Sequence, residues 1–329
     1  MNTRVLLARR PEGEPVPEDF RIVEEPVPAA GENQVLLRTR FLSLDPYMRG
    51  RMSAAKSYAK PVEIGDVMVG ATVNDVVESK NPAFARGDTV LANAGWQTFA
   101  LSDGRDLRKL NGDDVPPTYA LGLLRMPGLT AYCALLDVGQ PKPGETVVVS
   151  AASGAVGAVA GQIAKIKGCR AIGIAGSDEK CRYVTETLGF DACINRRTAD
   201  INDALRAHCP DGVDVYVDNA GGPILEAVMR NLRLRARIVI VGLIDQYNAT
   251  KAPPGPNLRA LLVYRARIEG FLVYDHWGHF DAFERDMRTW LREGKLRYRE
   301  DIVDGLENAP RALIGMLRGD NFGKLIVRV

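Results

Sequence analysis

Apolar residues in the middle of the chain are spaced first as in a buried strand and then as in a helix. Residues 146–150 form a β-branched run that is too short for a helix, and small residues at 151–157 close it. Behind them, apolar side chains recur at helical spacing: Val156, Val159, Ala160, Ile163 and Ala164. This pattern predicts a strand, a tight turn and a helix, which together open a βαβ unit.

The same alternation continues towards the C-terminus. Further strands are predicted at residues 170–176, 192–195, 237–242 and 268–273, and residues 212–222 are predicted to form a strand that ends in a glycine turn. One apolar stripe predicts a long helix with a single buried face: Phe280, Phe283, Met287, Trp290 and Leu291. Strands that alternate with helices predict the α/β class, here a doubly wound parallel sheet.

The first 119 residues follow a different pattern, in which short strand-like runs end at glycine-containing turns. These runs predict a compact, barrel-like β domain: residues 35–44, 68–73, 75–79, 89–92 and 95–101. A final strand at 323–329 is expected to return to this domain.

The boundary between the two patterns lies in an apolar helical region. Pro127 must interrupt this region, residues 119–136, because proline cannot sit inside a regular helix. We therefore predict a first domain at 1–119, completed by 301–329, and a nucleotide-binding domain at 120–300.

Composition narrows the class of protein. A chain of 329 residues is long enough for two domains. A net charge of +2 gives no reason to expect nucleic acid or an anionic membrane as partner. Charged residues interrupt every apolar run well short of the roughly 18 residues that a spanning helix needs. The five cysteines include no close pair and predict reduced thiols in a cytoplasmic protein.

The predicted turn at 151–157 has the features of a pyrophosphate site. Gly154 and Gly157 let the backbone approach a ligand at the helix start, although Ala152 stands where the usual fingerprint has its first glycine. The motif alone is equally typical of a helix start packed closely on a strand.

The end of the second strand bears on the choice of cofactor. An NAD site usually has Asp or Glu there, whereas this chain has Gly176-Ser177, with Lys180 and the pair Arg196-Arg197 nearby. Cations beside a ribose pocket that lacks this acidic residue favour a 2′-phosphate and hence NADPH. Asp178 and Glu179 argue against this, but acidic residues at a helix start are also explained by the helix dipole.

No metal site is expected from the sequence. Residues 1–132 contain neither Cys nor His, so the first domain lacks the thiolate and imidazole ligands of a catalytic zinc. His276-x-x-His279 is interpreted as part of a loop, because no third ligand is evident beside it.

Seven motifs occur in an order that resembles the zinc-independent branch of the medium-chain dehydrogenase/reductase superfamily. Within that branch, the chain is similar to prostaglandin reductases (leukotriene B4 12-hydroxydehydrogenases) and plant-type alkenal double-bond reductases. The resemblance covers nearly the whole length. The motifs are residues 44–50, 126–132, 151–157, 176–180, 218–222, 247–248 and 321–324.

This resemblance implies a GroES-like β-barrel catalytic domain, a Rossmann domain and a cleft between them. It also implies a homodimer joined through the last strand of the nucleotide sheet. The implied reaction is NADPH-dependent reduction of the carbon–carbon double bond of small, apolar enones or enals. A quinone reductase of the same superfamily and a non-catalytic NADPH-binding protein remain the alternatives.

The resemblance also assigns cofactor contacts. Residues 154–157 would hold the pyrophosphate, Lys180 the 2′-phosphate, and Phe271 and Val273 would lie on a strand supporting the nicotinamide. The full expected set is Met126, Thr130, Ser153, Gly154, Ala155, Val156, Gly157, Ser177, Lys180, Arg196, Asn219, Gly242, Tyr247, Phe271, Val273 and Asn321. Relatives often have Asn-Tyr-Lys where this chain has Asn195-Arg196-Arg197, so a guanidinium replaces a ring beside the phosphate.

Two tyrosines are the candidate catalytic groups. In conjugate reduction, a hydride reaches the β-carbon and negative charge develops on the carbonyl oxygen, where a fixed donor lowers the barrier. Three roles are open for Tyr247: it donates a hydrogen bond to that oxygen, it orients the nicotinamide ribose, or it only lines the cofactor site without acid–base function. Tyr47 is a weaker candidate, since it also fits packing of the Asp45-Pro46 turn. The α-carbon proton would come from water or a tyrosine.

Overall fold

The computed structural model describes residues 1–110, 114–251 and 253–329. The strands are β1 (Asn2–Leu7), β2 (Phe20–Glu25), β3 (Val35–Ser43), β4 (Thr72–Ser79), β5 (Thr89–Ala92), β6 (Phe99–Ser102), β7 (Arg108–Lys109), β8 (Thr146–Ser150), β9 (Arg170–Ala175), β10 (Ala192–Asn195), β11 (Val213–Asp218), β12 (Leu232–Ile240), β13 (Arg267–Gly270), β14 (Glu300–Asp304) and β15 (Lys324–Arg328).

The α-helices are α1 (Tyr47–Arg51), α2 (Met126–Cys133), α3 (Gly157–Ile166), α4 (Asp178–Arg182), α5 (Ile201–His208), α6 (Gly222–Arg230), α7 (Arg259–Tyr264), α8 (Phe280–Arg292) and α9 (Ala309–Arg318). A π-helical turn, Ala134–Gly139, continues α2, and a second, Tyr183–Thr187, continues α4. Short 3-10 helices are Pro17–Asp19, Pro117–Leu121, Ile244–Gln246, Val273–His279 and Leu306–Asn308.

The chain divides into two compact units. One contains residues 1–122 and 300–329, and the other contains residues 123–299. Pro127 lies in the first turn of α2, where a proline needs no hydrogen-bond partner, so the predicted interruption is the start of this helix.

The 123–299 unit contains a six-stranded sheet in the order β10-β9-β8-β11-β12-β13. Each neighbouring pair is parallel. Numbered from β8, this is the strand order 3-2-1-4-5-6 of the Rossmann fold, so the predicted doubly wound sheet is confirmed. The chain leaves β8 in opposite directions on either side, which makes the carboxyl ends of β8 and β11 the switch point where ligands bind.

Two strands of this unit differ from their predicted limits. β12 begins at Leu232, five residues before the predicted start, and its register shifts beside Val213 and Val215. Three consecutive exposed residues, 233–235, concealed this part of the strand, and Arg235 has a positive φ of 64° where the register shifts. β13 ends at Gly270, so Phe271 and Val273 are not on the strand as expected: Phe271 follows it and Val273 begins a 3-10 helix.

The core of the 123–299 unit forms where apolar strand residues meet the helices. One buried cluster includes Val148, Ile172, Tyr216, Val228 and Ile238. Packing is close on the other face too, because a methyl group at Gly161 of α3 would lie 1.8 Å from the Phe190 ring.

The other unit contains a two-stranded sheet, β1-β2, and a seven-stranded sheet built around β3. One edge of β3 pairs with β4, while its opposite edge pairs with β6 along residues 35–38 and with β15 along 41–43. One long strand shared between two neighbours fits the barrel-like β domain predicted for this part of the chain. The predicted strand at 68–73 was wrong at its start, because β4 begins at Thr72, and the run at 95–101 forms a strand only from Phe99.

Among the described residues, no helix combines the length and apolarity needed to cross a lipid bilayer.

Candidate cofactor and active site

The turn after β8 is shaped by close backbone contacts. Ala151 has a positive φ of 49°, a conformation that a side chain seldom adopts. A methyl group at Gly157 would lie 2.4 Å from the Ala151 carbonyl oxygen, so only glycine fits there. The amide of Gly154 donates to the same oxygen at 2.9 Å. The turn and helix therefore form as predicted, with Gly157 as the steric requirement.

This turn offers backbone amides to a ligand. Gly154, Ala155 and Val156 are half-exposed, whereas Ser153 and Gly157 are buried. Among the described residues, no side chain forms a capping hydrogen bond at the start of α3. A ten-residue helix with an uncapped start presents partial positive charge to an anion. The arrangement fits the pyrophosphate expected here.

A buried polar cluster supports the turn at the switch point. The Ser150 hydroxyl donates to Asp218 Oδ1 at 3.1 Å, and the Tyr216 hydroxyl donates to the same oxygen at 2.7 Å. The amides of Ala220 and Gly221 also donate to it, each at 2.9 Å. Burial raises the pKa of the Asp218 carboxyl above its usual range. Sequence reasoning missed this role, because Asp218 appeared only as the first residue of a glycine-rich motif.

Asn219 connects the two strands at this point. Its amide nitrogen donates to Ser150 Oγ at 2.8 Å, and its side-chain nitrogen donates to the Ser150 carbonyl at 2.9 Å. Asn219 therefore lies at the switch point, and its side-chain orientation is fixed by β8.

The ends of β9 and β10 form a second, cationic region. Asn195 pairs with Ala175, so the residues that follow these two strands are neighbours. A methyl group at Gly176 would lie 3.8 Å from Arg197 Nε and 4.0 Å from Arg196 Nε. The Arg196 guanidinium lies 3.8 Å from the Asp245 carboxylate, too far for a hydrogen bond, and remains exposed.

Helix α4 adds Ser177 and Lys180 to this region. The Ser177 hydroxyl caps the helix by accepting from the Lys180 amide at 3.2 Å. One of the two acidic residues that argued against NADPH is held elsewhere, because Asp178 accepts from the Asn195 side chain at 2.7 Å. Lys180, Arg196 and Arg197 suit a phosphate better than a free ribose.

Tyr247 lies beside Gly242 at the end of β12. A methyl group at Gly242 would lie 3.5 Å from the Tyr247 hydroxyl and 3.4 Å from the Asn219 carbonyl oxygen. Burial raises the pKa of Tyr247, and a hydrogen bond from the Leu243 backbone amide offsets only part of that rise. The phenol is therefore protonated at neutral pH and able to donate.

Met126 and Thr130 lie one turn apart on α2. The Thr130 hydroxyl donates to the Met126 carbonyl oxygen at 2.7 Å and is nearly buried. The Thr130 hydroxyl hydrogen is therefore already engaged in a hydrogen bond within α2. Beyond β13, the Phe271 ring stacks on His276 with 4.6 Å between centroids, and Val273 is buried.

In the unit containing residues 1–122 and 300–329, two motifs that the sequence presented separately come together. Lys324 is buried, and its Nζ donates to the Leu44 carbonyl at 2.7 Å and to Asp45 Oδ1 at 2.8 Å. Tyr47 begins α1 just beyond this ion pair, and Asn321 donates to the Gly323 carbonyl at 2.9 Å. The pair fixes the turn that carries Tyr47, a role for Lys324 that the sequence did not indicate.

Two family models match the chain. The N-terminal domain of oxidoreductase matches residues 3–110, and zinc-binding dehydrogenase matches residues 155–291. With the Rossmann sheet and its switch-point turn, they define an oxidoreductase with a dinucleotide-binding unit.

Curated relatives align over almost the whole chain. NADPH-dependent curcumin reductase from Escherichia coli is 53% identical, over 100% of this chain and 97% of its own length. Prostaglandin reductase 1 from Rattus norvegicus is 46% identical over 96% of both chains. A 2-alkenal reductase (NADP(+)-dependent) from Nicotiana tabacum is 40% identical, over 100% of this chain and 97% of its own. The chain belongs to the zinc-independent medium-chain dehydrogenase/reductase family, as the motifs predicted.

Solved structures agree with this assignment. CurA from Vibrio vulnificus in complex with NADPH is 50% identical, covers 99% of both chains and has a TM-score of 0.95. The Escherichia coli quinone oxidoreductase complexed with NADPH has a TM-score of 0.77 at 20% identity, over 99% of this chain and 100% of its own. At that identity the likeness concerns the fold alone, which confirms the predicted fold class.

Proposed function

We propose that this enzyme uses NADPH to reduce the carbon–carbon double bond of α,β-unsaturated ketones and aldehydes. The observation that carries the proposal is full-length similarity to reductases whose names specify curcumin, prostaglandin and 2-alkenal substrates. The cationic region around Gly176 supports NADPH, as does the NADPH complex of the 50% identical CurA.

The 123–299 unit supplies the groups that hold the cofactor. The amides of Ala155 and Val156 and the start of α3 bind the pyrophosphate, and Ser153, Gly154 and Gly157 shape that turn. Lys180, Arg196 and Ser177 receive the adenosine phosphate. Bound NADPH supplies the hydride that adds to the β-carbon of the substrate.

Further residues position the nicotinamide half. Asn219 and Gly242, at the ends of β11 and β12, line the path of the cofactor. Met126 and Thr130 on α2 form one wall of the ring site, and Phe271 with Val273 form another. Asn321 is a further contact along the cofactor, as the family resemblance implies.

Tyr247 acts as a hydrogen-bond donor to the carbonyl oxygen, where negative charge develops. A donor fixed in advance at such a position needs no reorganisation during the reaction. Its raised pKa keeps the phenol protonated at neutral pH. A proton from water or from Tyr47 then reaches the α-carbon, which yields the saturated carbonyl compound.

The enzyme assembles as a homodimer through β13. This strand ends the sheet order, and each of its residues is exposed. The adjacent α7 exposes Leu262 and Val263, with Leu262 79% exposed. An open strand edge beside apolar side chains is a surface that a second copy can cover. Five free cysteines support residence in a reducing compartment, the cytoplasm.

The test is NADPH oxidation by the purified enzyme with a medium-chain 2-alkenal, an enone and a quinone, with identification of products. Saturated aldehyde and ketone are expected from the first two. Turnover of the quinone alone would replace the proposal by quinone reduction. Tight NADPH binding without oxidation would indicate a non-catalytic protein for these substrates.

Tyr247→Phe tests the donor. We expect kcat to fall about a hundredfold while the Kd of NADPH stays unchanged, as when one oxyanion donor is removed. Tyr274→Phe is the matched control, because Tyr274 is 60% exposed and has no assigned role. Weaker NADPH binding at unchanged kcat would instead make Tyr247 a ribose-orienting residue.

A further inference from the structure

Two histidines that the sequence left without a third ligand have partners in the folded chain. His276 and His279 lie in the 3-10 helix Val273–His279 that follows β13. Asp137 lies in the π-helical turn that continues α2, and Cys133 is the last residue of α2. All four belong to the 123–299 unit, although some 140 positions separate the two pairs along the chain.

The ligating atoms of Cys133, Asp137 and His276 converge, and His279 joins this group through its contact with Asp137. One atom each from Cys133, Asp137 and His276 lies within 4.8 Å of the others. His276 Nδ1 is 3.2 Å from Asp137 Oδ2, and His279 Nε2 is 3.5 Å from the same oxygen. Nitrogen and oxygen ligands about 2.0–2.1 Å from a tetrahedral zinc are separated by about 3.3 Å. The carboxylate oxygen is thus at tetrahedral spacing from both imidazole nitrogens before any metal enters.

The chemistry of the donors selects the ion. One sulfur, two imidazole nitrogens and one carboxylate oxygen form a borderline set typical of zinc. A thiolate and a carboxylate together balance the charge of a divalent cation. With four protein ligands no position is left for substrate, as in structural rather than catalytic zinc sites.

We propose that Cys133, Asp137, His276 and His279 form a structural zinc site. Binding displaces the thiol proton of Cys133, which goes to solvent, and the sulfur moves from its contact with Asp137 onto the metal. Cys133 is fully buried, whereas the His279 side chain is 54% exposed, so the ion enters from the side of His279.

The backbone around the cluster supports a site of this kind. π-helical turns are rare and often occur at functional positions. Here the turn sets Asp137 towards both histidines rather than into solvent. A bound ion would link α2 to the segment after β13. Because the Phe271 ring stacks on His276, fixing His276 would also limit the movement of Phe271.

The test uses tag-free protein that has been reduced and stripped with a chelator. Zinc is titrated against a chromophoric competing chelator, and Co²⁺ is used as an optical probe of thiolate ligation. We expect one zinc per chain, a thiolate-to-cobalt charge-transfer band, and a melting temperature that rises with zinc. None of these readouts depends on the reductase activity proposed above.

Substitutions separate the cluster from other binding. His276→Gln and Asp137→Asn should each weaken zinc binding at least about a hundredfold, since even outer-shell changes weaken metal affinity 10–100-fold. His208→Gln and Cys169→Ser, which remove a histidine and a buried cysteine outside the cluster, should change nothing. Cys133→Ser should abolish the charge-transfer band.

Failure to retain zinc against the competitor would overturn the proposal and leave a hydrogen-bonded His–Asp pair. Equal zinc binding by His276→Gln and the unsubstituted protein would overturn it as well. Should Cys133→Ser fail to fold, His276→Gln and Asp137→Asn still decide the matter, because both histidine and aspartate are partly exposed.

Discussion

The turn at 151–157 and the cationic region around Gly176 follow neighbouring strands, β8 and β9, yet they are built by different forces. In the turn, backbone atoms approach so closely that a methyl group at Gly157 would lie 2.4 Å from a carbonyl oxygen. Around Gly176, Arg196 and Arg197 are exposed, and the Arg196 guanidinium is 3.8 Å from the Asp245 carboxylate. Steric fit specifies the first region and charge the second, so they should respond to different perturbations.

Gly157→Ala should have the largest effect. The added methyl group must displace the Ala151 carbonyl, and overpacking of this kind costs about 3 kcal/mol, roughly a hundredfold in NADPH affinity. Isothermal titration with NADPH measures the loss. Gly154→Ala is the graded control, because its methyl group would lie 3.2 Å from the same oxygen. Equal losses for both variants would show that the turn adapts and that sterics do not define it.

Asp218→Ala tests the support beneath the turn. It leaves four donors without their acceptor, and we expect a loss of about 3 kcal/mol in the free energy of unfolding. Urea denaturation measures it. Tyr216→Phe, which removes one donor, should cost about 1 kcal/mol. Asp218→Asn retains the accepting oxygen and should lie near the unsubstituted protein; an Asn variant as unstable as Ala would contradict this view of the cluster.

The same residue predicts a pH dependence. Because burial raises the pKa of folded Asp218, the native state holds its proton to a higher pH than the unfolded chain does. The stabilisation that the protonated Asp218 carboxyl contributes is complete below its pKa in the unfolded chain. It is lost as the pH rises through its pKa in the folded protein. The unsubstituted protein should therefore lose stability relative to Asp218→Asn over that window. Parallel stability curves would indicate an unshifted carboxyl.

The double substitution Lys180→Met with Arg196→Gln tests the charged region. Hydrogen bonds to charged groups contribute about 1.5–3 kcal/mol, so kcat/KM for NADPH should fall about tenfold to a hundredfold. Steady-state kinetics with NADH, which lacks the phosphate, should be unchanged. Arg182→Gln, an exposed arginine on the same helix, is the matched control. A similar loss of kcat/KM with NADH would mean that Lys180 and Arg196 do not bind the 2′-phosphate.

Salt should have the smallest effect and should separate the two regions directly. The Debye length falls from about 10 Å at 0.1 M to about 3 Å at 1 M, so exposed charges are screened. The Kd of NADPH should rise several-fold with salt in the unsubstituted protein and in Gly154→Ala. In the Lys180→Met, Arg196→Gln variant, the Kd of NADPH should not change with salt. The same slope in all three would assign the salt effect to other charges.

The same contrast explains what the sequence could predict. Glycines required by steric contact and apolar periodicity are local signals, so the βαβ order and α8 were predicted closely, whereas the helical region predicted at 119–136 yielded α2 only from Met126. The start of β12 was mispredicted because residues 233–235 are all exposed, so this part of the strand has neither an apolar run nor a regular alternation. Roles that depend on distant partners left no local signal. Lys324 with Asp45, and Cys133 with His276, are separated by more than a hundred residues and meet only in the fold.

The pairing of β3 with β15 has a consequence for the order of events during synthesis. Residues 1–122 cannot complete their sheet until residues 324–328 have left the ribosome, whereas all of 123–299 is made before then. The nucleotide-binding unit can thus fold while the other still waits for its last strand, with part of one β3 edge unpaired and Asp45 without its ion-pair partner. This interval is when the nascent chain is most exposed to aggregation, and it ends when Lys324 is buried.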